Sequence, residues 1–184
     1  MNAESKALKL HQAIIEGDLE QVQFLVEAGA NINAVDSNYD TPLKLSVTYD
    51  RPRIFQVLLN SGAIPDGWTL DLIITSLDES FNFKMLVMLL ESGLDPNVRL
   101  EDGETFLIQA AKQGNLQAVK ALLDAGADPN VVSRHSSFAL IAAGHACYQG
   151  VFEYLIPLTS SELKVKATNQ LPTRFAKLIA RVDS

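Results

Sequence analysis

An all-α solenoid of stacked helix pairs is the fold this sequence predicts, and three observations carry it. Gly29, Gly62, Gly93 and Gly126 each follow an apolar helical run, in the contexts EAGA, NSGA, ESGL and DAGA, at intervals of 33, 31 and 33 residues. A fixed period of that length marks repeated helix pairs. The stretch from Asp102 to Asn130 has the capping chemistry of two short helices back to back. Thr105 and Asn115 are placed to accept a first-turn amide, and Gly114 and Gly126 suit the left-handed stop that follows a helix. Between these caps, Leu107, Ala110 and Ala111 share one face, and Val119, Leu122 and Leu123 share another. One pair cannot bury both stripes alone, so neighbouring copies are required.

These residues are also where the chain resembles the ankyrin-repeat family. Asp102, Gly103 and Thr105 match the family's D-G-x-T opening, and Ala110-Ala111 its paired alanines. Gly114-Asn115 match its mid-repeat turn, and Gly126 to Asn130 (GADPN) its closing turn. Thr41-Pro42-Leu43-Lys44 is the family's T-P-L-H with lysine for histidine. The resemblance covers roughly Leu8 to Leu158 and implies about five repeats, near 6–37, 38–66, 67–98, 99–131 and 132–158. Residues 159–184 fall outside it and are expected to form a helical cap.

Taken in order, the first repeat has Leu10, Ala13 and Ile14 as its inner stripe and Val22, Leu25 and Val26 as its outer one. It lacks the D-G-x-T opening. His11 falls at the histidine of T-P-L-H, where the resemblance implies a structural hydrogen-bonding role rather than a catalytic one. Val35 to Asp40 is expected to project as the first finger. In the second repeat Pro42 and Pro52 suit first helical positions, where a missing amide costs nothing. Asp50-Arg51-Pro52 replaces the glycine turn, and Ile54, Phe55, Leu58 and Leu59 form the outer stripe.

The third repeat is irregular, and two registers compete. Asp66-Gly67-Trp68-Thr69 imitates D-G-x-T, whereas the glycine spacing puts Leu72, Ile74 and Leu77 on the inner face. The apolar periodicity favours the spacing, with a shortened finger. Met85, Leu86, Leu89 and Leu90 then resume the outer helix. In the fifth repeat Leu140, Ala143, Val151, Phe152, Leu155 and Ile156 take core positions, and Cys147 replaces the turn glycine. Beyond it, Ser161-Glu162 can begin a short helix. Pro172 opens a second, with Phe175, Leu178, Ile179 and Val182 on one face and Arg174, Lys177 and Arg181 opposite. Laid over the end of a stack, that face covers apolar surface; the alternative is a membrane or partner-binding helix, for which three basic residues are few.

Composition narrows the function classes. The chain has 184 residues, 47% hydrophobic and 20% charged, as an ordinary folded domain does. No apolar run approaches the roughly 18 residues of a membrane span. The N-terminus carries no secretory h-region. One cysteine fits a reducing compartment, so a cytoplasmic protein is expected. Net charge is −7, with 10 basic and 20 acidic residues up to Ser161 and 5 basic and 2 acidic thereafter. An acidic body argues against nucleic acid and anionic membranes as partners.

Candidates for chemistry are few, and no enzyme activity is expected. His145 and Cys147 are close in sequence, but helical neighbours two apart point about 200° from each other. No metal-ligand spacing or phosphate-cradling glycine loop is present, so neither metal nor cofactor is expected. Acidic residues at turns, such as Asp18, Asp40, Asp95 and Asp128, are accounted for by capping.

Recognition remains. The resemblance implies protein binding through the fingers and the concave face of the inner helices. Mapped by position, the finger residues are Asp36, Ser37, Asn38, Tyr39, Asp40, Arg99, Glu101, Glu104, Arg134 and His135. The groove residues are Thr48, Tyr49, Lys112, Gln113 and His145. Trp68 joins them from the irregular repeat, either packed into the short loop or standing exposed. Tyr39 and Tyr49 rank first, because aromatic rings with polar tips are frequent hot spots. The expected function is non-catalytic binding of another protein by a monomer. The alternative is an acidic inhibitor or immunity-type protein that blocks a basic enzyme such as a nuclease.

Overall fold

The structure, a computed structural model, describes residues 3–75, 80–100 and 103–182. It forms two compact units, Met1–Gly93 and Leu94–Ser184.

The first unit holds three helix pairs: α1 (Ala3–Glu16) with α2 (Leu19–Glu27), α3 (Pro42–Thr48) with α4 (Pro52–Asn60), and α5 (Gly67–Thr75) with α6 (Ser80–Glu91). α3 packs between α1 and α5, while α4 packs between α2 and α6, which gives an inner and an outer layer. Leu10, Ile14, Phe55, Leu58, Ile73 and Ile74 are among its fully buried side chains. Start signals act as the sequence indicates. The Asp18 carboxylate accepts from the Gln21 amide at 2.9 Å, and Pro42 and Pro52 occupy first-turn positions. His11 is buried, with Nδ1 2.8 Å from the Ala7 carbonyl and Nε2 3.0 Å from the Ala34 carbonyl. That places it as a clasp between α1 and the first finger.

The third repeat overturns the register that glycine spacing favours. Asp66 caps α5 directly, its carboxylate accepting from the Thr69 amide at 2.7 Å. α5 therefore starts at Gly67, and its buried face is Thr69, Leu70, Ile73 and Ile74. Ile74 keeps its assigned core place, Leu72 is only half-buried, and Leu77 lies outside the described residues. The local cap wins because a satisfied first-turn amide fixes the helix start regardless of the spacing around it. Only Ala63 to Asp66 separate the Gly62 turn from α5, so no full finger forms here.

The second unit repeats the plan. α7 (Phe106–Gln113) pairs with α8 (Leu116–Asp124), and α9 (Ala139–His145) pairs with α10 (Gln149–Leu155). A 3₁₀ turn at Ile156–Leu158 leads into α11 (Ser161–Gln170) and α12 (Thr173–Val182). α7 packs on α9 and α8 on α10; α11 then lies against α9 and α12 against the 3₁₀ turn. Thr105 and Asn115 cap α7 and α8 through the Ile108 and Ala118 amides, and Gly114 ends α7 at φ 71°. In the terminal helices Leu163, Ala167, Leu171, Phe175 and Ile179 are buried. Leu178 is half-buried and Val182 is exposed, so the one-sided stripe is shorter than its sequence pattern.

Gly17 and Gly114 take positive φ in the mid-repeat turn, and so do their non-glycine replacements Asp50 (φ 55°) and Cys147 (φ 64°). A left-handed backbone costs an L-residue about 1–2 kcal/mol. Cys147→Gly is therefore expected to raise the stability of the second unit by about 1 kcal/mol after the extra entropy of glycine in the unfolded chain is discounted. A melting temperature that falls on this substitution would contradict it.

Candidate functional site

The fingers are built on one repeated turn. In the first unit the Asp36 amide donates to the Asp40 carbonyl at 3.1 Å, and Tyr39 N–H donates to Asp36 O at 3.1 Å. In the second unit Leu100 bonds Glu104 and Ser133 bonds Ser137 in the same way, both at 2.8 Å. The fourth residue of each turn is left-handed: Tyr39 at φ 62°, Gly103 at 80° and Ser136 at 60°. Glycine is the residue that suits this position, yet the first finger fills it with a tyrosine that is 81% exposed.

Asp36 organises that finger. Its carboxylate accepts from the Asn38 amide at 2.7 Å and the Asp40 amide at 2.9 Å. Slight burial pushes the carboxyl upward, but those two amides, with His11 and Lys44 nearby, outweigh it and hold the group below the usual aspartate value. A depressed carboxyl stabilises the fold when ionised, so this turn loosens only as pH falls into the acid range below that of a free aspartate. Ser37 and Asn38 stand exposed beside it. Between α1 and this finger lies an open groove of about 590 Å³, lined in part by Leu8, His11, Ile15, Val35 and Asp36.

Asp40 pairs with Lys44, whose Nζ also stands 5.9 Å from the centroid of the Trp68 ring. The lysine replacing the T-P-L-H histidine thus connects the first finger to the start of α5. Trp68 is 68% exposed, which settles the choice in favour of the surface. Tyr49 is the C-cap of α3 and is 41% exposed; Thr48 beside it is exposed, with its hydroxyl on the Lys44 carbonyl at 3.1 Å. Asp40, Lys44 and Trp68 are brought together, and Asp36 to Asp40 form a single turn. Lys44 is not among the expected site residues, although its i+4 spacing from Asp40 is a readable signal.

In the second unit the expected residues divide. Arg99 is exposed, and its guanidinium donates to the carbonyls of Gly103 at 3.0 Å and Val132 at 3.2 Å, bracing two fingers. Arg134 and His135 are exposed on the last finger, and His145 is exposed at the end of α9. Lys112 is exposed and Gln113 is half-buried at the end of α7. Glu104 departs from its assignment. It is 3% exposed, taking Lys112 Nζ at 2.5 and 2.6 Å and Gln109 Nε2 at 2.6 Å, so its carboxylate is spent inside the fold. A buried carboxylate needs such partners. Glu101 lies outside the described residues. The Cys147 thiol contacts the His145 carbonyl at 3.8 Å, not its ring. Among the described residues, no group of three or more His, Cys, Asp or Glu is arranged to hold a metal, and no helix is long and apolar enough to cross a membrane.

Repeats are stitched by asparagine side chains that were not anticipated. Asn33 accepts from the Ile64 amide at 3.0 Å. Asn97 accepts from the Asp128 amide at 2.8 Å and donates to Gly126 O at 3.2 Å, and Asn130 accepts from the Ser160 amide at 2.7 Å. Their signal was visible in the 33-residue interval between Asn97 and Asn130.

Comparison with known proteins agrees with this architecture. Family models described as ankyrin repeats (3 copies) and ankyrin repeats (many copies) match residues 72–169 and 10–59. The chain is 30% identical over 111 residues to "Putative ankyrin repeat protein FPV223" of fowlpox virus (strain NVSL), covering 60% of this chain and 79% of that protein. It is 29% identical over 122 residues to "Ankyrin repeat, SAM and basic leucine zipper domain-containing protein 1" of Colobus guereza, covering 63% of this chain and 26% of the relative. It is 38% identical over 58 residues to "Protein phosphatase 1 regulatory subunit 27" of Mus musculus, covering 32% of this chain and 38% of the relative. The latter two matches thus span well under two thirds of those proteins. Repeat period, cap chemistry, layered helix pairs and family match converge: the chain belongs to the ankyrin-repeat family.

Proposed function

We propose that this chain is a non-catalytic module that binds another protein, with the first finger and the aromatic residues of the first unit as its main contact. Ankyrin repeats are generally protein–protein interaction modules, and one relative is named as a regulatory subunit of a phosphatase. The observation that carries the reading is the exposure of Tyr39, Tyr49 and Trp68 in one unit, because large aromatic side chains left in water are poorly accounted for by folding alone. Arg99, Arg134, His135, Lys112 and His145 would supply polar contacts from the second unit.

Capture of the native partner from the source cell, identified by mass spectrometry, tests this. Tyr39→Ala combined with Tyr49→Ala is expected to weaken that capture at least about ten-fold, as loss of an aromatic hot spot does. Equal capture by wild type and variant would remove these residues from the site. The acidic chain also keeps an inhibitory role against a basic enzyme in view. Affinity falling steeply with salt favours blocking by charge, whereas weak salt dependence favours an adaptor held by apolar contacts.

A further inference from the structure

We infer that the surface joining the first finger to α5 takes a basic, extended segment of the partner, with lysine or arginine side chains set against Tyr39, Trp68 and Asp71. This rests on the protein-binding reading above and names the chemistry of the partner. Charge is the first support. Residues 1–93 carry 6 basic and 13 acidic residues, a balance of −7, whereas residues 94–184 carry 9 of each. All of the net charge of the chain therefore belongs to the first unit, the same unit that exposes Tyr39, Tyr49 and Trp68.

The second support is the chemistry that this surface already accepts. Lys44 sits with its ammonium paired to Asp40 and facing the Trp68 ring at 5.9 Å. An acidic–aromatic pair holding a cation within the chain shows what the neighbouring open positions can offer a cation from outside. Asp71 is exposed and follows Trp68 by three residues on α5, so the two share a helix face. Tyr39 presents an exposed ring between Asp36 and Asp40. Lysine and arginine side chains alternating along an extended segment would meet ring faces and carboxylates in turn. A surface of like charge would repel Asp71, and a wholly apolar helix would leave its carboxylate desolvated without a partner, since Asp36 and Asp40 already have theirs within the chain.

Trp68 is the only tryptophan in the chain, so its emission reports on this surface alone. The full chain is titrated at low salt with a 12-residue peptide alternating arginine and serine, and with the same peptide carrying glutamate for arginine. The arginine peptide is expected to change Trp68 emission saturably, and the glutamate peptide to leave it unchanged. Tyr39→Gly and Asp71→Asn are each expected to weaken the arginine peptide about five-fold, against less than about two-fold for Glu20→Gln, an exposed carboxylate on α2. Tyr39→Gly relieves the left-handed tyrosine, so a melting temperature at or above wild type separates lost contact from lost fold. No Trp68 response, or equal weakening by Asp71→Asn and Glu20→Gln, overturns the inference by reducing the effect to a diffuse field. A native partner that needs Tyr39 but is not displaced by the arginine peptide overturns the basic-segment assignment while leaving protein binding intact.

Discussion

Phe175→Ala is expected to destabilise the second unit by about 3–5 kcal/mol, the cost of emptying a filled aromatic site. Phe175 is fully enclosed, and its ring centroid lies 4.6 Å from that of Phe152 at 59°, a tilted pair joining α12 to α10. Deleting the ring removes the contact and opens a cavity under the terminal helix. Leu171, whose methyls fill the space above Gly144, belongs to the same seal. Urea unfolding followed by circular dichroism measures the change. A loss below about 1 kcal/mol would mean that α12 is an appendage and not part of the core.

Glu104→Ala should cost about 2–4 kcal/mol, because it strips a buried charged acceptor from two donors. The carboxylate holds Lys112 and Gln109, so one side chain ties the finger after Leu100 to the last turn of α7. Lys112→Met removes the cation instead and strands the carboxylate in a site with little water. Both variants should lower the urea midpoint, and Glu104→Gln should fall between them and wild type. A neutral Glu104→Ala would show that the pair contributes nothing beyond its desolvation.

These two residues illustrate what was legible. Phe175 was readable because a one-sided apolar stripe after Pro172 suits the end of a stack, and three basic residues are few for a membrane helix. The repeat frame was readable for the same reason: caps, turn glycines and stripes agree at fixed offsets from Leu8 to Leu158. Glu104 was misread because finger position alone says nothing about which way a side chain turns. Lys112 is eight residues away, beyond any local pattern. The start of α5 was misread because a single carboxylate, Asp66, outweighs the glycine period. Lys44 went unnoticed as a link because its two partners, Asp40 and Trp68, lie on different repeats. Caps and stripes show in a sequence, whereas side-chain contacts such as Glu104 with Lys112 or Lys44 with Trp68 show only when the helices are packed.

The asparagine stitches carry one last consequence. Backbone amides of Ile64, Asp128 and Ser160 each end on the side chain of an asparagine 30 or 31 residues earlier in the chain, away from any helical ladder. Amides of loops normally exchange with solvent deuterium quickly, whereas these three are expected to be slowed for as long as the asparagine of the neighbouring turn stays in place. Their exchange therefore senses the contact between successive turns, so a partner that clamps adjacent repeats should slow it even without touching these amides.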